Sequence, residues 1–168
     1  MILTYDDVLK FSMILSSIGK NTRSIEYLDF IHFITVNKLK LKDIINTLNT
    51  VISSRKIDTK YLEYSRRHSE ILIKYASKDA NGNPIYLDDH HYVYTKENIV
   101  MMQQEIDKLK VEFNAVIKAN DKRIVEIQHY LLQTVDVDIL PVNRSVIPDG
   151  VLDVNMYEFL VEHNLINN

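Results

Sequence analysis

Apolar residues recur at helical spacing from the first residues of the chain. Over residues 4–18 they fall on one helical face, formed by Val8, Phe11, Ile14, Leu15 and Ile18. Thr4 followed by Asp7 predicts a capping box at the start of this helix. Gly19 predicts its end, because glycine accepts the left-handed conformation that closes many helices.

Residues 24–36 are apolar almost all round, which is typical of a helix that is buried on most sides. Ser24 is a plausible cap for it. The stretch 30–36 also fits a strand, since β-branched and aromatic residues alternate with others there; we favour the helix. A separate helix is predicted over about 40–53.

Two later stretches carry coiled-coil-like seams, in which the spacing alternates between four and three residues. The first lies on a predicted helix over about 58–77 and is formed by Ile57, Tyr61, Tyr64, His68, Ile71 and Tyr75. The second starts near Thr95 or Lys96 and is formed by Ile99, Met102, Ile106, Leu109, Phe113 and Val116. This spacing keeps one stripe facing a partner, so the two helices are predicted to form an antiparallel hairpin.

The stretch 96–134 allows two interpretations. One is a single helix of about 57 Å at 1.5 Å per residue. The other is a helix to about 114, an extended piece over 115–118 and a new helix capped by Asn120. We favour the second slightly, because ordinary domains rarely hold so long a helix.

The remaining segments are less helical. Residues 79–84 form the strongest breaker in the chain, and a small β-hairpin is predicted at about 84–95, resting on the helices. Near the end, the alternation over 135–139 predicts a strand with its acidic residues outward, with Pro141 at its end or edge. A short last helix, capped by Asp153 or Asn155, is predicted to run to about 165.

Composition agrees with a mainly α fold, a helical bundle with the β-hairpin insertion and a short C-terminal strand plus helix. Only three glycines and three prolines occur in 168 residues, too few for the tight turns of a β-sandwich. The length predicts one domain over 1–168, with N-terminal helices (1–54), the helical hairpin (55–134) and a tail (135–168). The absence of cysteine excludes disulfides, thiolate metal sites and cysteine catalysis.

Charge and hydropathy restrict the partners and the location. A net charge of -3 argues against a nucleic-acid-coating protein. The acidic start does not resemble a signal peptide, and the longest apolar stretch, Phe11–Ile18, is too short to span a bilayer. We therefore expect a soluble protein without a signal peptide or a transmembrane segment.

The search for chemistry gives one weak cluster. Asp88, Asp89, His90 and His91 are four adjacent potential metal ligands, of which an extended chain can direct at most two to one ion. Asp88, His90 and His91 are the weak metal candidates; without a third ligand from elsewhere the segment is a polar hairpin tip. No glycine-flanked nucleophile, phosphate-binding loop or zinc motif occurs, so no cofactor is expected.

Ten tyrosines and no tryptophan make tyrosine the most functional-looking residue type in the chain. Tyrosine is enriched in binding surfaces because it offers area with few rotors and a polar end. The alternative is a tyrosine-rich core edge under the hairpin, and His68 fits a hydrogen-bonded core or interface residue. The candidate interaction residues are Tyr61, Tyr64, His68, Tyr75, Tyr86, Tyr92 and Tyr94.

The segment Leu72–Pro84 contains the turn Lys78-Asp79-Ala80-Asn81-Gly82-Asn83-Pro84, and residues 138–150 form a proline-containing acidic tail. These two segments resemble small uncharacterised proteins of tailed bacteriophages, which are often encoded among the late genes. The resemblance covers about residues 58–165 and departs at 24–54, which looks like an extra pair of helices. It implies a location in the host cytoplasm or the virion. It carries over no functional residue.

Three functions remain as expectations. The first is a non-enzymatic phage protein acting through protein contacts, with itself or another protein, as a virion, tail-module or assembly component. The second is a small phage protein that inhibits a host factor or defence system. The third, which we favour least, is a metal-dependent enzyme built around the segment Asp88–His91.

Overall fold

The computed structural model describes residues 1–21, 27–89 and 91–167, and the side chains of all of these except 19–21. Most of them are helical, which confirms the mainly α fold class. The helices are α1 (Tyr5–Asn21), α2 (Leu28–Ser54), α3 (Thr59–Tyr75), α4 (Lys96–Glu112), α5 (Asn114–Leu131) and α6 (Val154–Glu162). The strands are β1 (Ile2–Thr4), β2 (Thr134–Asp136), β3 (Val142–Asn143) and β4 (Ile166–Asn167), with a short 3-10 helix at Arg144–Val146.

The chain divides into two compact units. The discontinuous unit combines Met1–Ser54 with Ile127–Asn168, and the hairpin unit is the intervening segment Arg55–Glu126. The expectation that the whole chain forms one domain stays a prediction.

The core of the discontinuous unit is built where α1 packs on α2. The predicted face of α1 is buried at Val8, Phe11, Leu15 and Ile18, and the ring of Phe11 lies 6.3 Å from that of Phe33 on α2. The helix starts at the predicted capping box. Thr4 Oγ1 donates to Asp7 Oδ2 at 2.5 Å, and the Asp7 backbone N–H donates back to Thr4 Oγ1 at 3.1 Å.

Helix α1 does not end at Gly19 as predicted, because it continues to Asn21. Glycine inside a helix costs only about 1 kcal/mol relative to alanine. Ile18 is fully packed in the core, and this burial favours the helical turn around it. A glycine near a helix end is thus an ambiguous stop signal.

Helix α2 is one continuous helix from Leu28, so the helix alternative is confirmed over 28–36 and the separate helix over 40–53 was wrong. No glycine or proline interrupts it. One stripe faces the core throughout, formed by Phe30, Phe33, Ile34, Asn37, Leu41 and Leu48. The predicted cap Ser24 lies outside the described residues.

Two small sheets join the ends of the discontinuous unit. Strand β1 pairs antiparallel with β2, with Leu3 opposite Val135, and β3 pairs parallel with β4, with Val142 opposite Ile166. The predicted strand over 135–139 is shorter than expected, although Val137 is buried. Neither β1, β3 nor β4 was predicted, because strands of two or three residues leave no periodic pattern.

The C-terminal helix α6 follows its predicted cap. Asp153 is the N-cap, and its Oδ1 accepts the backbone N–H of Met156 at 2.8 Å. The helix ends at Glu162 rather than at about 165, and the buried Leu160 and Leu165 attach this region to the core.

A buried asparagine connects the two sequence segments of the discontinuous unit. Asn37 is fully buried on α2, where its Nδ2 donates to the carbonyl of Leu140 at 2.9 Å. The N–H of Leu140 donates back to Asn37 Oδ1 at 2.8 Å. The asparagine side chain thus satisfies both backbone groups of Leu140, as a neighbouring strand would.

The hairpin unit consists of α3, α4 and the start of α5, with α3 and α4 antiparallel. Arg67 pairs with Glu112 through two hydrogen bonds of 2.5 and 3.0 Å, and Lys74 Nζ lies 2.6 Å from Glu105 Oε2. The two seams face each other as predicted, burying Ile71 against Ile106, Leu109 and Phe113. The seams are shorter than predicted, because Ile57 and Ile99 are 44% and 46% exposed.

The stretch 96–134 contains two helices, as favoured, but the break lies elsewhere. Only Phe113 leaves the helical pattern, whereas the predicted extended piece 115–118 is helical. Asn120 is not a cap; it is buried inside α5, where its Oδ1 accepts a hydrogen bond from Arg123. The sequence interpretation therefore mistook a buried polar residue inside a helix for a helix cap.

Within the part of the chain that is described, no helix combines the length and the apolar character needed to cross a membrane.

Replacing Asn37 with alanine is expected to lower the free energy of unfolding by about 2–3 kcal/mol. The change leaves the N–H and C=O of Leu140 without their partner, and an unsatisfied buried polar group costs about 1–3 kcal/mol. Urea unfolding followed by circular dichroism measures the effect. The matched control is Asn46→Ala at an exposed position of α2, for which we expect a change within about 0.5 kcal/mol. Equal effects of the two substitutions would contradict the proposed role of Asn37.

Asp7 makes stability depend on pH. Although partial burial opposes it, the hydrogen bonds from Thr4 keep the pKa of Asp7 below its ordinary value, with help from His163 and Lys10. A lowered folded-state pKa gives stability that is present above the unfolded pKa of about 3.9 and is lost as pH falls through the folded one.

We therefore expect Asp7→Asn to be less stable than the parent chain at neutral pH, and the difference to shrink as pH falls below about 4. Urea titrations at both pH values measure it, with Asp43→Asn on the exposed face of α2 as control. A destabilisation that does not change with pH would rule out the carboxylate as its source.

Candidate functional site

Three short backbone segments form the end of the hairpin unit between α3 and α4. Ser77, Ile85 and Val93 bond in a closed ring: the Ser77 N–H donates to Val93 O (2.8 Å), Val93 to Ile85 (2.9 Å) and Ile85 to Ser77 (2.8 Å). Antiparallel bridges at Lys78 with Pro84 and at Tyr86 with Tyr92 extend it. The β-hairpin predicted at about 84–95 is therefore present as the bridge between Tyr86 and Tyr92 rather than as full strands, whereas the bridge of Lys78 with Pro84 starts before it.

The turn entering this ring depends on Asp79. Its Oδ1 accepts the backbone N–H groups of Asn81 at 2.8 Å and Asn83 at 2.9 Å. The bond from Asn83, more than the one from Asn81, lowers the pKa of the Asp79 carboxyl. Gly82 has a φ of 83°, a conformation that favours glycine. The resemblance-bearing turn thus has a structural function in this chain.

The ring presents an exposed apolar ridge. Ile85, Tyr86 and Leu87 are consecutive and all exposed, Tyr86 at 56% and Leu87 at 76%. The ring of Tyr86 lies 4.8 Å from that of Tyr92, which in turn lies 6.3 Å from Tyr94. We call Ile85, Tyr86, Leu87, Tyr92 and the neighbouring Asp88 and Asp89 the tip surface.

Two tyrosines at the tip, Tyr92 and Tyr94, have pKa values above the ordinary value for tyrosine. Its hydrogen bond with Tyr86 raises the pKa of Tyr92, with smaller contributions from burial and Tyr94. Burial raises the pKa of Tyr94. Both phenols therefore remain neutral donors over the physiological pH range.

The candidates on α3 form a second group, separate from the tip. Tyr61, Tyr64 and His68 lie in a row, with ring centroids 5.7 and 5.9 Å apart, and Tyr64 contacts Phe113 at 5.8 Å. The Arg67 guanidinium lies over the ring of Phe113, 5.2 Å from its centroid. Tyr61, Tyr64 and His68 are half-buried, and Tyr64 packs against the buried cluster between the helices, which is a core-edge position.

Tyr75 is also engaged within the unit. Its hydroxyl donates to Glu105 Oε2 at 2.8 Å, and Lys74 bonds the same oxygen. These two bonds, that of Lys74 above all, lower the pKa of Glu105. The seven candidates therefore do not form one surface: three tyrosines lie at the tip, whereas Tyr61, Tyr64, His68 and Tyr75 lie along the helices.

The weak metal candidates are only partly brought together. His91 Nδ1 lies 2.8 Å from both carboxylate oxygens of Asp88, and the His91 backbone N–H also donates to Asp88. His90 lies outside the described residues. Over residues 1–21, 27–89 and 91–167, no group of three or more possible ligands is close enough to hold a metal ion. The Asp88–His91 pair closes the loop.

Ile85 and Leu87 were not among the predicted interaction residues. The available signal was their place in an uninterrupted Ile-Tyr-Leu run. Successive side chains of an extended segment point to opposite sides, and a ribbon this small has helices to cover only one side. Such a run must therefore expose apolar area on the other side.

The contact between Phe113 and Tyr64 should carry much of the stability of the hairpin unit. Phe113→Ala is expected to lower the free energy of unfolding of this unit by about 3–4 kcal/mol, since the site is buried and cannot easily collapse. Val111→Ala, at a position that is 78% exposed two residues away, is the matched control and should change little. Hydrogen exchange of the α4 amides measures the unit directly. A loss of protection in both variants to the same extent would contradict this assignment.

Comparison with known proteins gives no relative from which a role could be transferred: no protein-family model, no curated protein and no solved structure matches the chain. The tip surface must therefore be interpreted from its own residues.

Proposed function

We propose that the chain is a non-enzymatic bacteriophage protein that acts through protein contacts, as a component of the virion, the tail module or its assembly. The observation that carries the proposal is the exposed run Ile85, Tyr86 and Leu87 at the end of the helical hairpin. Apolar and aromatic side chains grouped in this way are typical of the centre of a protein interface.

The arrangement of the run favours contact with a partner over packing within the chain. Its backbone is held by the bonds among Ser77, Ile85 and Val93, so the side chains are exposed on a closed framework. Little conformational entropy remains to be lost when a partner covers such a surface, which favours affinity. An exposed apolar group without a partner would only lower solubility.

The helices below the tip support the same proposal. The seams of α3 and α4 pack on each other, and the pairs Arg67–Glu112 and Lys74–Glu105 join the helices along their length. We interpret them as a coiled-coil-like arm of about 25 Å, at 1.5 Å per residue. A rigid helical hairpin with an exposed apolar surface at one end is suited to connecting proteins in an assembly.

The phage origin rests on the resemblance over about residues 58–165. The turn that carries it is held by Asp79, Gly82 and the bridge between Lys78 and Pro84. Because this turn builds the support of the tip surface, a protein that retains the turn would also retain the framework of the surface.

Mass spectrometry of purified virions tests the proposal. We expect the chain in virions or in assembly intermediates at a defined copy number. The double variant Tyr86→Ser, Leu87→Ser should fold normally and be lost from the particle. The matched control replaces Leu62 and Val111 with serine, two exposed apolar residues of α3 and α4 away from the tip.

Normal incorporation of the tip variant would contradict the role of this surface. Absence of the chain from virions and from assembly intermediates would contradict the structural role itself. If the tip then retrieves one host protein in stoichiometric amount, and the tip variant does not, the chain is instead an inhibitor of a host factor.

A further inference from the structure

The two ends of the hairpin unit carry opposite charge. Residues 77–97 at the tip contain two lysines and four carboxylates, a net charge of -2, from Lys78, Lys96, Asp79, Asp88, Asp89 and Glu97. All six side chains belong to exposed residues. The tip surface is therefore apolar at its centre and acidic around it.

The opposite end, which we call the base, is formed by residues 55–60 and 116–126. Its position follows from the antiparallel ladder: Tyr75 contacts Asn98 near the tip, whereas Arg55 Nη1 donates to the Glu126 carbonyl at 2.9 Å. The base contains six cations and three carboxylates, a net charge of +3, from Arg55, Lys56, Lys60, Lys118, Lys122, Arg123, Asp58, Asp121 and Glu126.

The base is also apolar in part. Ile57, Ile124 and Val125 are exposed there. Each end of the unit thus combines an exposed apolar group with excess charge, and the two charges have opposite sign. Complementary potentials of this kind guide association and select the orientation.

From this complementarity we infer that the tip surface binds the base of a second copy of the same chain. Two tips would repel each other, as would two bases, so the charges disfavour a symmetric dimer through either end. A tip on a base brings unlike charges within the screening distance of about 10 Å at 0.1 M salt. This head-to-tail contact is heterologous, so it propagates into a ring or a filament.

The inference rests on the proposed function, because it names the partner of the tip. A repeating head-to-tail contact is a form of assembly that suits a virion or tail-module component. It goes further than that proposal, since the protein alone must self-associate and the base becomes the second half of the interface.

Sedimentation of the purified full chain at rising concentration tests it. We expect assembly beyond the dimer at about 0.05 M salt, weakened roughly tenfold or more at about 0.5 M salt, where charges are screened more strongly. A chain that stays monomeric at both salt concentrations overturns the inference, and so does assembly that stops at a symmetric dimer.

Two charge-reversed variants provide the decisive part of the experiment. Asp89→Lys with Glu97→Lys makes the tip positive, and Lys60→Glu with Lys118→Glu makes the base negative. Each variant alone should remain monomeric, because its tip and base then have like charge. Mixed in equal amounts, the two variants should assemble again, since every junction unites unlike charges.

The matched control for the tip variant, Asp43→Lys with Glu158→Lys, has the same change in net charge at exposed positions of the discontinuous unit and should assemble like the parent chain. Failure of the mixture to assemble, or unchanged assembly of either variant alone, overturns the head-to-tail contact. A chain that is monomeric in solution but is lost from virions when Tyr86 and Leu87 are replaced would overturn this inference and leave the proposed function standing.

Discussion

Two hydrogen bonds between the side chain of Asn37 and the backbone of Leu140 fix the returning segment of the discontinuous unit to α2. Leu140 lies between β2 and β3 and precedes Pro141, which has no N–H to donate to a strand pairing. The asparagine amide takes the place of a neighbouring strand, and the ion pair of Lys40 with Asp138, 2.7 Å long, attaches the same segment to α2. Segments 103 residues apart are thereby connected, and the buried residues before and after the clamp, Val137 and Val142, enter the core.

Bringing two segments so far apart in sequence together costs conformational entropy, because the loop between them must be closed. The hairpin unit reduces that cost. The chain leaves the discontinuous unit at Ser54 and returns at Ile127. At the base of the hairpin unit, Arg123 Nη1 donates to the carbonyl of Arg55 at 3.2 Å, and Arg55 donates to that of Glu126. The folded hairpin unit brings its own two ends together. The two sequence segments of the discontinuous unit therefore start close to each other when they fold. The entropy of closing a loop is then borne by local contacts of the hairpin unit.

The periodic elements could be predicted from the sequence, and the exceptions share one physical cause. The face of α1 and the opposed seams follow from periodic spacing, and the capping box from two residues three positions apart. A sequence displays both kinds of pattern directly. Gly19 and the interval between the two predicted parts of α2 were misread because tertiary contacts decide them: the packing of Ile18, and the bonds of the buried Asn37 with Leu140. Asn120 was misread because it is buried inside α5, where it accepts a hydrogen bond from Arg123 of the same helix. The strands of two or three residues exist only through their pairing. For the candidate site, the tyrosine-rich region was found, but its division between the helices and the tip depends on which side chains the helices cover.

The charged residues along the hairpin unit differ between its middle and its two ends. Between tip and base, residues 61–76 and 98–115 hold five cations and five carboxylates, several of them joined between α3 and α4. Exposed ion pairs of this kind add little to stability, because water and salt screen them. Their larger effect is on the field, because a balanced middle leaves the excess charges at the two ends. The same helices that keep the tip and the base apart therefore also keep their charges from cancelling, and the hairpin unit presents two ends of opposite sign that it cannot bring together within one molecule.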